Sequence, residues 1–319
     1  MKRLILVLLL CAAGIVVRAQ EKDSLLVMFW NLENFFDWTD QGTEDSDKEF
    51  SPYGERHWTR SKFYAKCDAV AKSIFWISDK YGRLPDVIGL AEIENRGVLT
   101  KLLSYTLLRK YDYSIVHKES GDRRGIDVAL LFRRSSMTLC SKSFKTPVYQ
   151  GENLSTRDIL HAGMNLNDGG NMEFIVNHHP SKFGGEKESE DRRTSAMTAL
   201  RELSDSLYAC GRSNIIAMGD FNDTPDSPQF DMVNGILENK GLSLHGRHQG
   251  TIRYKGKWEL IDFFLTSPEA RTSQMEVVKI PFLTTYDKRY PGEKPLRTYS
   301  GPRYIGGVSD HCPIILKIY

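Results

Sequence analysis

Short apolar runs alternate with polar loops along most of the chain, and each run has the length of a buried β-strand. The runs are rich in β-branched and aromatic residues and most of them are followed by a polar residue, a pattern typical of strands. The predicted strands are Leu25–Trp30, Asp86–Ala91, Tyr113–Val116, Ile126–Phe132, Leu139–Phe144, Ile159–Leu166, Glu173–Asn177, Ile215–Met218, Leu260–Leu265 and Ile314–Ile318.

Longer segments with apolar residues at helical spacing stand between some of these strands. The spacing predicts an amphipathic helix over Thr59–Lys80 that packs on a sheet, and further helices over Val98–Arg109 and Arg192–Tyr208. Thr39–Asp47 and residues 184–191 are polar and acidic, so both are predicted to be exposed loops.

Polar side chains recur at or beside the ends of the predicted strands, where several of them interrupt an apolar run. Taken singly each has an ordinary explanation, because turns are rich in Asp and Asn and a lone Glu after a strand is usually solvated. Their repetition favours one shared site on loops held by a rigid scaffold. The residues in question are Asn31, Glu92, Asp127, His178, Asp220, Asn222, Asp262, Asp310 and His311.

The chemistry of this set predicts metal-assisted hydrolysis of a phosphate ester. Carboxylates and an Asn without clustered Cys suit a hard divalent cation: magnesium first, with manganese or calcium as alternatives. Two His residues with Asp neighbours suit proton transfer near neutral pH. The chain contains no G-x-S-x-G, G-x-x-x-x-G-K or H-E-x-x-H motif, which disfavours the chemistries that those motifs carry.

The first 19 residues, MKRLILVLLLCAAGIVVRA, predict a secretory signal peptide that is removed before Gln20. The apolar stretch Leu4–Val17 is short for a membrane span, which needs roughly 20 residues. Lipid attachment at Cys11 is an alternative, although Leu10 fits such a signal poorly. An exported protein, periplasmic or extracellular, is therefore expected, with no transmembrane segment in its mature chain.

Removal of that segment changes the charge balance. Lysine plus arginine falls from 43 to 40 while the 41 acidic residues remain, so the net charge changes from +2 to −1. A near-neutral protein is not a general polyanion binder, and any contact with nucleic acid must come from a local basic patch.

The remaining residues 20–319 predict a single domain, because 40% of the sequence is hydrophobic and no linker or internal repeat divides it. Four cysteines remain, Cys67, Cys140, Cys210 and Cys312. Their wide and irregular spacing argues against a zinc site and leaves disulfide pairing open.

A succession of motifs resembles the endonuclease/exonuclease/phosphatase superfamily, to which deoxyribonuclease I and exonuclease III belong. The motifs are, in order, WNLEN, LAEIEN, RGIDVALLFR, TRDIL, NHHPSK, GDFND, IDFFL and SDHCPI. They extend over nearly the whole mature chain, and GDFND and SDHCPI are the most specific. The resemblance implies an α+β four-layer sandwich, in which two mixed β-sheets are flanked by helices and the site lies where strand ends of both sheets meet.

The resemblance also implies roles for single positions. Asn31 and Glu92 match the metal-binding pair of the family, and Asp310 matches a carboxylate near the metal. The number of metal ions, one or two, stays open.

Five further positions match the family's catalytic residues. His178 matches a histidine that acts on the phosphate or the leaving group, while Asp220 and Asn222 match the pair that orients the attacking water and the scissile phosphate. Asp262 matches the carboxylate that partners the last histidine, His311, which is the expected base.

The surroundings of these positions are matched less closely. Arg157 and Ser181 are predicted to contact substrate, and Asp127 is predicted to support His178. Glu33 is a residue at which relatives vary, and His179 replaces a Trp of the similar motif NHWPS.

The predicted function is an exported metal-dependent phosphodiesterase: an endonuclease on DNA, with RNA as an alternative substrate. It is expected to be a monomer without a stable protein partner. The sequence is most similar to a branch of bacterial exported and membrane-associated nucleases. An alternative is a phosphatase or phosphodiesterase on small or lipid-linked phosphates; a binding module without catalysis is disfavoured, because every matched polar position is retained. Predicted phosphate or base contacts are Arg123, Arg124, Lys182, Arg192, Arg193, Arg253, Tyr254, Lys255, Lys257 and Trp258.

Overall fold

A computed structural model describes residues 24–39, 45–182, 186–247 and 249–319. The predicted signal peptide, its cleavage before Gln20 and the lipid-anchor alternative at Cys11 lie outside the described residues.

Strands make up most of the regular structure. In chain order they are β1 (Leu25–Phe35), β2 (Val87–Ile93), β3 (Tyr113–His117), β4 (Asp127–Arg133), β5 (Met137–Lys145), β6 (Val148–Tyr149), β7 (Glu152–Asn153), β8 (Ile159–Leu166), β9 (Asn171–His178), β10 (Ile215–Asp220), β11 (Glu238–Asn239), β12 (Ile252–Tyr254), β13 (Lys257–Glu259), β14 (Asp262–Thr266), β15 (Glu276–Val277), β16 (Thr284–Asp287), β17 (Gly292–Pro295), β18 (Tyr299–Ser300), β19 (Arg303–Tyr304) and β20 (Ile314–Ile318). The α-helices among the described residues are α1 (Asp45–Glu49), α2 (Arg60–Tyr81), α3 (Arg96–Tyr105) and α4 (Glu186–Ala209). Short 3₁₀ helices cover Leu107–Lys110, Pro228–Val233, Lys240–Ser243 and Pro281–Leu283.

Two six-stranded sheets carry the fold. The first sheet has the spatial order β15-β20-β1-β2-β4-β3, and the second has the order β11-β14-β10-β9-β8-β5. Each sheet contains one parallel pair, β1 with β2 and β9 with β10, and its other pairs are antiparallel. The two mixed sheets predicted from the sequence are therefore confirmed.

Two clusters of buried apolar side chains show the order in which the layers pack. Val27 and Phe29 on one face of β1 share a buried core with Ile216 of β10 and with Met197 of α4. The opposite face of the first sheet, which includes Met28, packs against α2 and α3. The layers are thus α2 and α3, the first sheet, the second sheet and α4, a four-layer sandwich of the kind the resemblance implied.

Helix α2 shows how local sequence sets an element. The Thr59 side chain accepts a hydrogen bond from the Lys62 backbone N–H at its start, and Gly82, at φ 74°, ends it in the left-handed conformation. Its buried face includes Phe63, Val70 and Ile77, so the predicted helix over Thr59–Lys80 is confirmed within a residue at each end.

The boundaries of other elements differ from those predicted. Helix α4 begins at Glu186 rather than Arg192, so most of the expected loop 184–191 is helical. Its first residues lack an apolar stripe, yet Glu and Lys are good helix formers and acidic residues suit a helix N-terminus. Helix α3 ends at Tyr105 rather than Arg109, and α1 occupies the last part of the predicted loop Thr39–Asp47.

Strand β1 continues past the predicted end at Trp30 to Phe35. The sequence also gave no signal for the hairpins β6–β7, β12–β13, β16–β17 and β18–β19, because strands of two to four residues are too short for an alternating pattern.

The four cysteines of the described residues, Cys67, Cys140, Cys210 and Cys312, are free thiols, and Cys67 and Cys312 are buried. None of the helices in the described part of the chain is both long and apolar enough to cross a membrane.

The close approach of the two sheets generates a test. A Cβ atom added to Gly89 of β2 would lie 2.6 Å from Sδ of the buried Met218 in β10. We expect Gly89→Ala to lower the free energy of unfolding by roughly 1–3 kcal/mol, because the added methyl group overpacks the core. Urea unfolding measures this, with Gly121→Ala as the control, since a Cβ there meets no atom within 4 Å. Equal stability of the two variants would contradict this packing.

Candidate active site

Three neighbouring strands of the second sheet bring an imidazole and two carboxylates to one row. In the strand register, Asp220 at the end of β10 pairs with His178 of β9 on one side and with Asp262 of β14 on the other. Paired residues on adjacent strands point to the same face, so these side chains are neighbours. All three residues are at most 5% exposed, and the row therefore lies at the bottom of the site.

The carboxylate of Asp220 lies at the centre of this group. Its Oδ2 is 3.6 Å from Nε2 of His178 and 3.8 Å from Nε2 of His311. The same oxygen accepts a hydrogen bond from Nδ2 of Asn31 at 3.0 Å, and Oδ1 accepts one from the Asn222 backbone N–H at 3.0 Å. Asp220 is therefore the point at which both predicted histidines and the first sheet meet.

His311 is held by contacts on several sides. Its Nδ1 is 2.8 Å from Oδ2 of Asp262, and its backbone N–H donates to Oγ of Ser309 at 2.9 Å. The Ser309 hydroxyl in turn donates to the backbone oxygen of Asn31 at 2.6 Å. The loop before β20 is thus tied to β1, and Nε2 of His311 is left directed at Asp220 and at Asp310, whose Oδ1 is 3.8 Å away.

A β-bulge in the first sheet positions Glu92. Ala91 pairs with Val128 and Ile93 with Asp127, so Glu92 is an extra residue, and it has the left-handed φ of 61°. Bulges re-aim side chains, and non-glycine residues in this conformation store strain of order 1–3 kcal/mol. Oε2 of Glu92 accepts a hydrogen bond from the backbone N–H of Asn34 at 2.8 Å.

Asn31 connects the two sheets across the site. Its Nδ2 lies 3.0 Å from Oδ2 of Asp220 in the second sheet and 3.5 Å from Oε1 of Glu92 in the first. Its Oδ1 accepts the backbone N–H of Glu33 at 2.9 Å, which fixes the orientation of the amide.

The two histidines have opposite electrostatic environments. Burial lowers the pKa of His178 well below its ordinary value, and the nearby Arg157 and Arg124 lower it further. Burial also opposes the charged form of His311, but the carboxylates of Asp262 and Asp220 outweigh it and raise the pKa of His311 well above its ordinary value. His178 is therefore neutral near pH 7, whereas His311 carries a proton, so it can act as the expected base only after a positive charge offsets its carboxylate neighbours.

Two carboxyl groups of the site lie where burial and repulsion from a neighbouring carboxylate disfavour the ionised form. Burial, followed by repulsion from Asp262, raises the pKa of Asp220 to about 7. Burial, followed by repulsion from Asp310, likewise raises the pKa of Glu33 to about 7.

The residues present fit a hard divalent cation. Ligand atoms of Asp220, Asp262 and His311 lie within 4.8 Å of one another, and the buried Oδ1 of Asp262 has no hydrogen-bond partner. Glu92 and Asp310 add carboxylate oxygens nearby, and oxygen ligands with excess negative charge are what such ions prefer. The geometry does not assign separate roles to the predicted ligands Asn31, Glu92 and Asp310, which stay predictions.

The predicted substrate contacts lie at different depths. Arg157 is only 5% exposed; Nη1 is 3.0 Å from Oδ2 of Asp122, and Nη2 donates to the backbone oxygen of His179 at 2.5 Å. It therefore anchors the turn that contains Asp122. Asn222, at φ 51°, donates from Nδ2 to the same His179 oxygen at 2.9 Å, whereas Ser181 is exposed.

The prediction that Asp127 supports His178 is wrong. Oδ1 of Asp127 accepts hydrogen bonds from the backbone N–H and hydroxyl of Ser120 at 2.8 and 2.5 Å, and Oδ2 is 3.3 Å from Nε2 of His117. Asp127 pairs with Ile93, which faces α2 and α3, so it points away from the second sheet. Nδ1 of His178 has no hydrogen-bond partner among the described residues.

A network of charged side chains beside the site was not predicted from the sequence. Oε1 of the buried Glu33 is 2.7 Å from Arg297, whose Nη2 is 3.2 Å from Oδ2 of Asp310. Lys66, 2% exposed, donates to the backbone oxygen of Glu33 at 2.5 Å. A lysine on the apolar face of the predicted helix Thr59–Lys80 was a usable signal for Lys66, but Arg297 lies in an irregular segment without one.

Comparison with known sequences gives one match over nearly the whole described chain. The sequence model described as "Endonuclease/Exonuclease/phosphatase family" matches residues 26–319. No curated protein matches the chain.

Solved structures share the fold at low sequence identity. The human Nocturnin catalytic domain with bound sulfate has a TM-score of 0.58 and 14% identity, covering 93% of this chain and 94% of that one. A mannosyl-6-phosphatase from Bacteroides thetaiotaomicron has a TM-score of 0.59 and 16% identity, covering 92% and 99%. D. rerio TDP2, complexed with a single-strand DNA product, has a TM-score of 0.54 and 14% identity, covering 93% and 99%.

The buried His179 gives a pH-dependent prediction. It is 1% exposed, neither ring nitrogen has a hydrogen-bond partner, and its ring packs edge-on against Phe221 at 5.0 Å between centroids. Burial, with Arg157 and Arg193 nearby, lowers the pKa of His179 to about 3. The neutral ring therefore contributes stability that is full above the unfolded pKa of roughly 6.5 and is lost as the pH falls toward 3.

We expect His179→Phe to reduce this acid sensitivity. Between about pH 7 and pH 4.5 the free energy of unfolding should fall further in the wild type than in the variant. The extra loss should be up to roughly 2–3 kcal/mol, with a slope of no more than about 1.4 kcal/mol per pH unit. Urea unfolding at both pH values measures the difference, with His245→Phe, a change at a partly exposed histidine, as the control. Equal losses in wild type and His179→Phe would contradict the prediction.

Proposed function

Since the chain belongs to the endonuclease/exonuclease/phosphatase family, whose members hydrolyse phosphate esters, we propose that it is a metal-dependent endonuclease acting on DNA, with RNA as an alternative substrate. The observation that carries the proposal is the Asp220 carboxylate between two histidines of opposite protonation state, one of them bound to Asp262. Two histidines, one neutral and one protonated, can accept and donate protons during hydrolysis of a phosphate ester.

Each side chain of this group has a task in an attack by water on phosphorus. Asp262 holds the Nδ1–H tautomer of His311, so Nε2 faces the reacting atoms. Asp220 and Asn222 orient the water, and neutral His178 binds the phosphate or the leaving oxygen. A divalent cation, with magnesium proposed first, held by Asn31, Glu92 and Asp310, would neutralise charge that develops on the phosphate oxygens.

Two exposed basic segments beside the site support a polymeric substrate. The turn with Arg123 and Arg124 is anchored through Asp122 to Arg157, and Arg124 is close enough to lower the pKa of His178. Positively charged residues on both sides of a cleavage site would bind the phosphate backbone of a polymeric substrate.

The second segment is the hairpin β12–β13. The Thr251 oxygen, just before it, accepts the backbone N–H of Cys312 at 2.7 Å, so the hairpin is fixed next to His311. Lys255, Lys257 and Tyr254, the last 59% exposed, project from it as phosphate and stacking groups.

Two of the predicted phosphate contacts are occupied and are removed from the set. Arg193 is 2% exposed and pairs with Asp223 at 3.1 Å. Arg253 donates to the backbone oxygens of Tyr290 and Pro291, both at 2.9 Å.

Neighbouring structures support two substrate classes. The bound single-strand DNA product of TDP2 supports a nucleic acid. The mannosyl-6-phosphatase supports the second candidate, a phosphatase on small phosphate esters. We place the nuclease first because the basic segments flank the site rather than enclose it.

The proposal includes export. The N-terminal sequence MKRLILVLLLCAAGIVVRA supports removal of a signal peptide before Gln20, and the enzyme would act as a monomer in the periplasm or outside the cell.

His311 provides the first test of the function. We expect His311→Ala to lower the rate of plasmid nicking with magnesium by roughly 10²- to 10⁴-fold, because the general acid–base group is lost. Gel analysis of supercoiled plasmid, with chelator as the blank and His245→Ala, at a partly exposed histidine, as the matched control, measures this. Nicking that survives in His311→Ala would contradict the assignment of the site.

The basic segments provide the second test. We expect Arg124→Gln combined with Lys255→Gln to weaken DNA binding and to reduce the slope of log K against log salt by about 2, since each phosphate contact contributes about 0.9. Filter binding in several salt concentrations measures the slope, with chelator present to prevent cleavage. The control is Arg109→Gln with Lys110→Gln, near Tyr113 at the end of the first sheet opposite the site. Unchanged slopes, together with hydrolysis of small phosphate esters and intact nucleic acids, would favour the phosphatase instead.

A further inference from the structure

A cavity of about 230 Å³ adjoins the active site on the side of the first sheet. Two of its lining residues also contact predicted metal ligands. The backbone N–H of Asn34 donates to Oε2 of Glu92 at 2.8 Å, and Nη2 of Arg297 is 3.2 Å from Oδ2 of Asp310. A group bound in the cavity is therefore next to a phosphate held at those ligands.

The lining combines hydrogen-bond donors with an acceptor. Among the lining residues, Arg56 and Arg297 carry guanidinium groups, Asn34 carries a side-chain amide, and the almost entirely buried Glu33 carries a carboxylate. A hydroxyl group donates and accepts at once, so a sugar hydroxyl matches this mixture.

The charges of the cavity are already balanced, which disfavours an anion as its ligand. Arg56 is 2.6 Å from Oε1 of Glu49, and Arg297 is 2.7 Å from Oε1 of Glu33 in addition to its contact with Asp310. A second phosphate would meet these carboxylates and gain no unpaired positive charge.

The rings of the cavity disfavour a stacked base. Phe50 and Tyr299 are 6% and 7% exposed, and the guanidinium carbon of Arg56 lies 5.3 Å from the centre of the Tyr299 ring. Base recognition by stacking needs an open aromatic face, and these rings are covered.

We propose that this cavity binds the hydroxyl groups of the sugar that carries the scissile phosphate. The inference rests on the proposed phosphodiesterase function and adds a preference within it. A ribose has a free 2′-hydroxyl within an RNA strand, whereas an internal deoxyribose has none, so cleavage next to a ribonucleotide is favoured. A free sugar phosphate would present the same hydroxyl chemistry.

The test uses a DNA oligonucleotide with a single ribonucleotide placed at successive positions, compared with the all-DNA strand in magnesium. The wild type should cleave roughly tenfold faster next to the ribonucleotide, on one side of the scissile phosphate only, which is the contribution of one good hydrogen bond.

Asn34→Gly and Arg56→Gln should each reduce this ratio toward one. Asn34 has a left-handed φ of 51°, which glycine adopts freely, so the first variant removes the amide and retains the N–H to Glu92. Arg109→Gln, an arginine distant from the site, should leave the ratio unchanged. Because the ratio is measured within each protein, a partly folded variant does not disturb it.

Different results overturn different claims. Equal cleavage next to ribose and deoxyribose by the wild type overturns the cavity proposal but not the nuclease. If no nucleic acid is cleaved, the nuclease fails, and hydrolysis of a hexose 6-phosphate is then compared with that of p-nitrophenyl phosphate, which has no hydroxyls. A KM for the hexose phosphate alone that rises about tenfold in Arg56→Gln supports the cavity, and equal KM changes for both esters overturn it.

Discussion

The structure depends on a buried carboxylate at the junction of two β-sheets. Asp220 can occupy that position because the register of β9, β10 and β14 places it between His178 and Asp262, while Asn31 and the Asn222 N–H donate to it. Burial of this charge beside a second carboxylate is costly, as the rise of its pKa to about 7 shows. The apolar core around β10 offsets that cost and holds the strand ends that carry the reactive groups in place.

Backbone strain is concentrated around the same point. Glu33, Asn34, Glu92 and Asn222 all have positive φ, and all of them lie at the register shifts of β1 and β2 or just after the end of β10. In the first sheet the bulge turns Glu92 toward the site, and Asn34 then holds its carboxylate. Such strain persists only where the surrounding structure fixes it, and here each strained residue directs a polar group at the site. The strand ends that form the sandwich therefore also supply the acid, the base and the metal ligands.

The sequence predicted the parts of the site that interrupt a pattern. Asp220, Asp262 and Glu92 stood out because charged residues beside buried strands contradict the apolar run around them, and the structure places all three together. Asp127 interrupts a run in the same way, yet it faces His117, because a strand buried on both faces does not reveal which face a polar residue uses.

The contacts that were not predicted from the sequence join residues that are far apart along the chain. Arg297 and Asp310 meet Glu33 through chain segments that are far apart and irregular, and no local periodicity marks such contacts. The most direct measurement of the central claim, that Asp220 of the second sheet holds the cation ligands of the first sheet in place through Asn31, is calorimetric titration of Mn²⁺ into wild type, Glu92→Gln, Asp220→Asn and the surface control Glu276→Gln. The account predicts that the wild type and the control bind the ion and that both site variants, although they lie on different sheets, bind it at least about tenfold more weakly. Wild-type affinity in either site variant would contradict it.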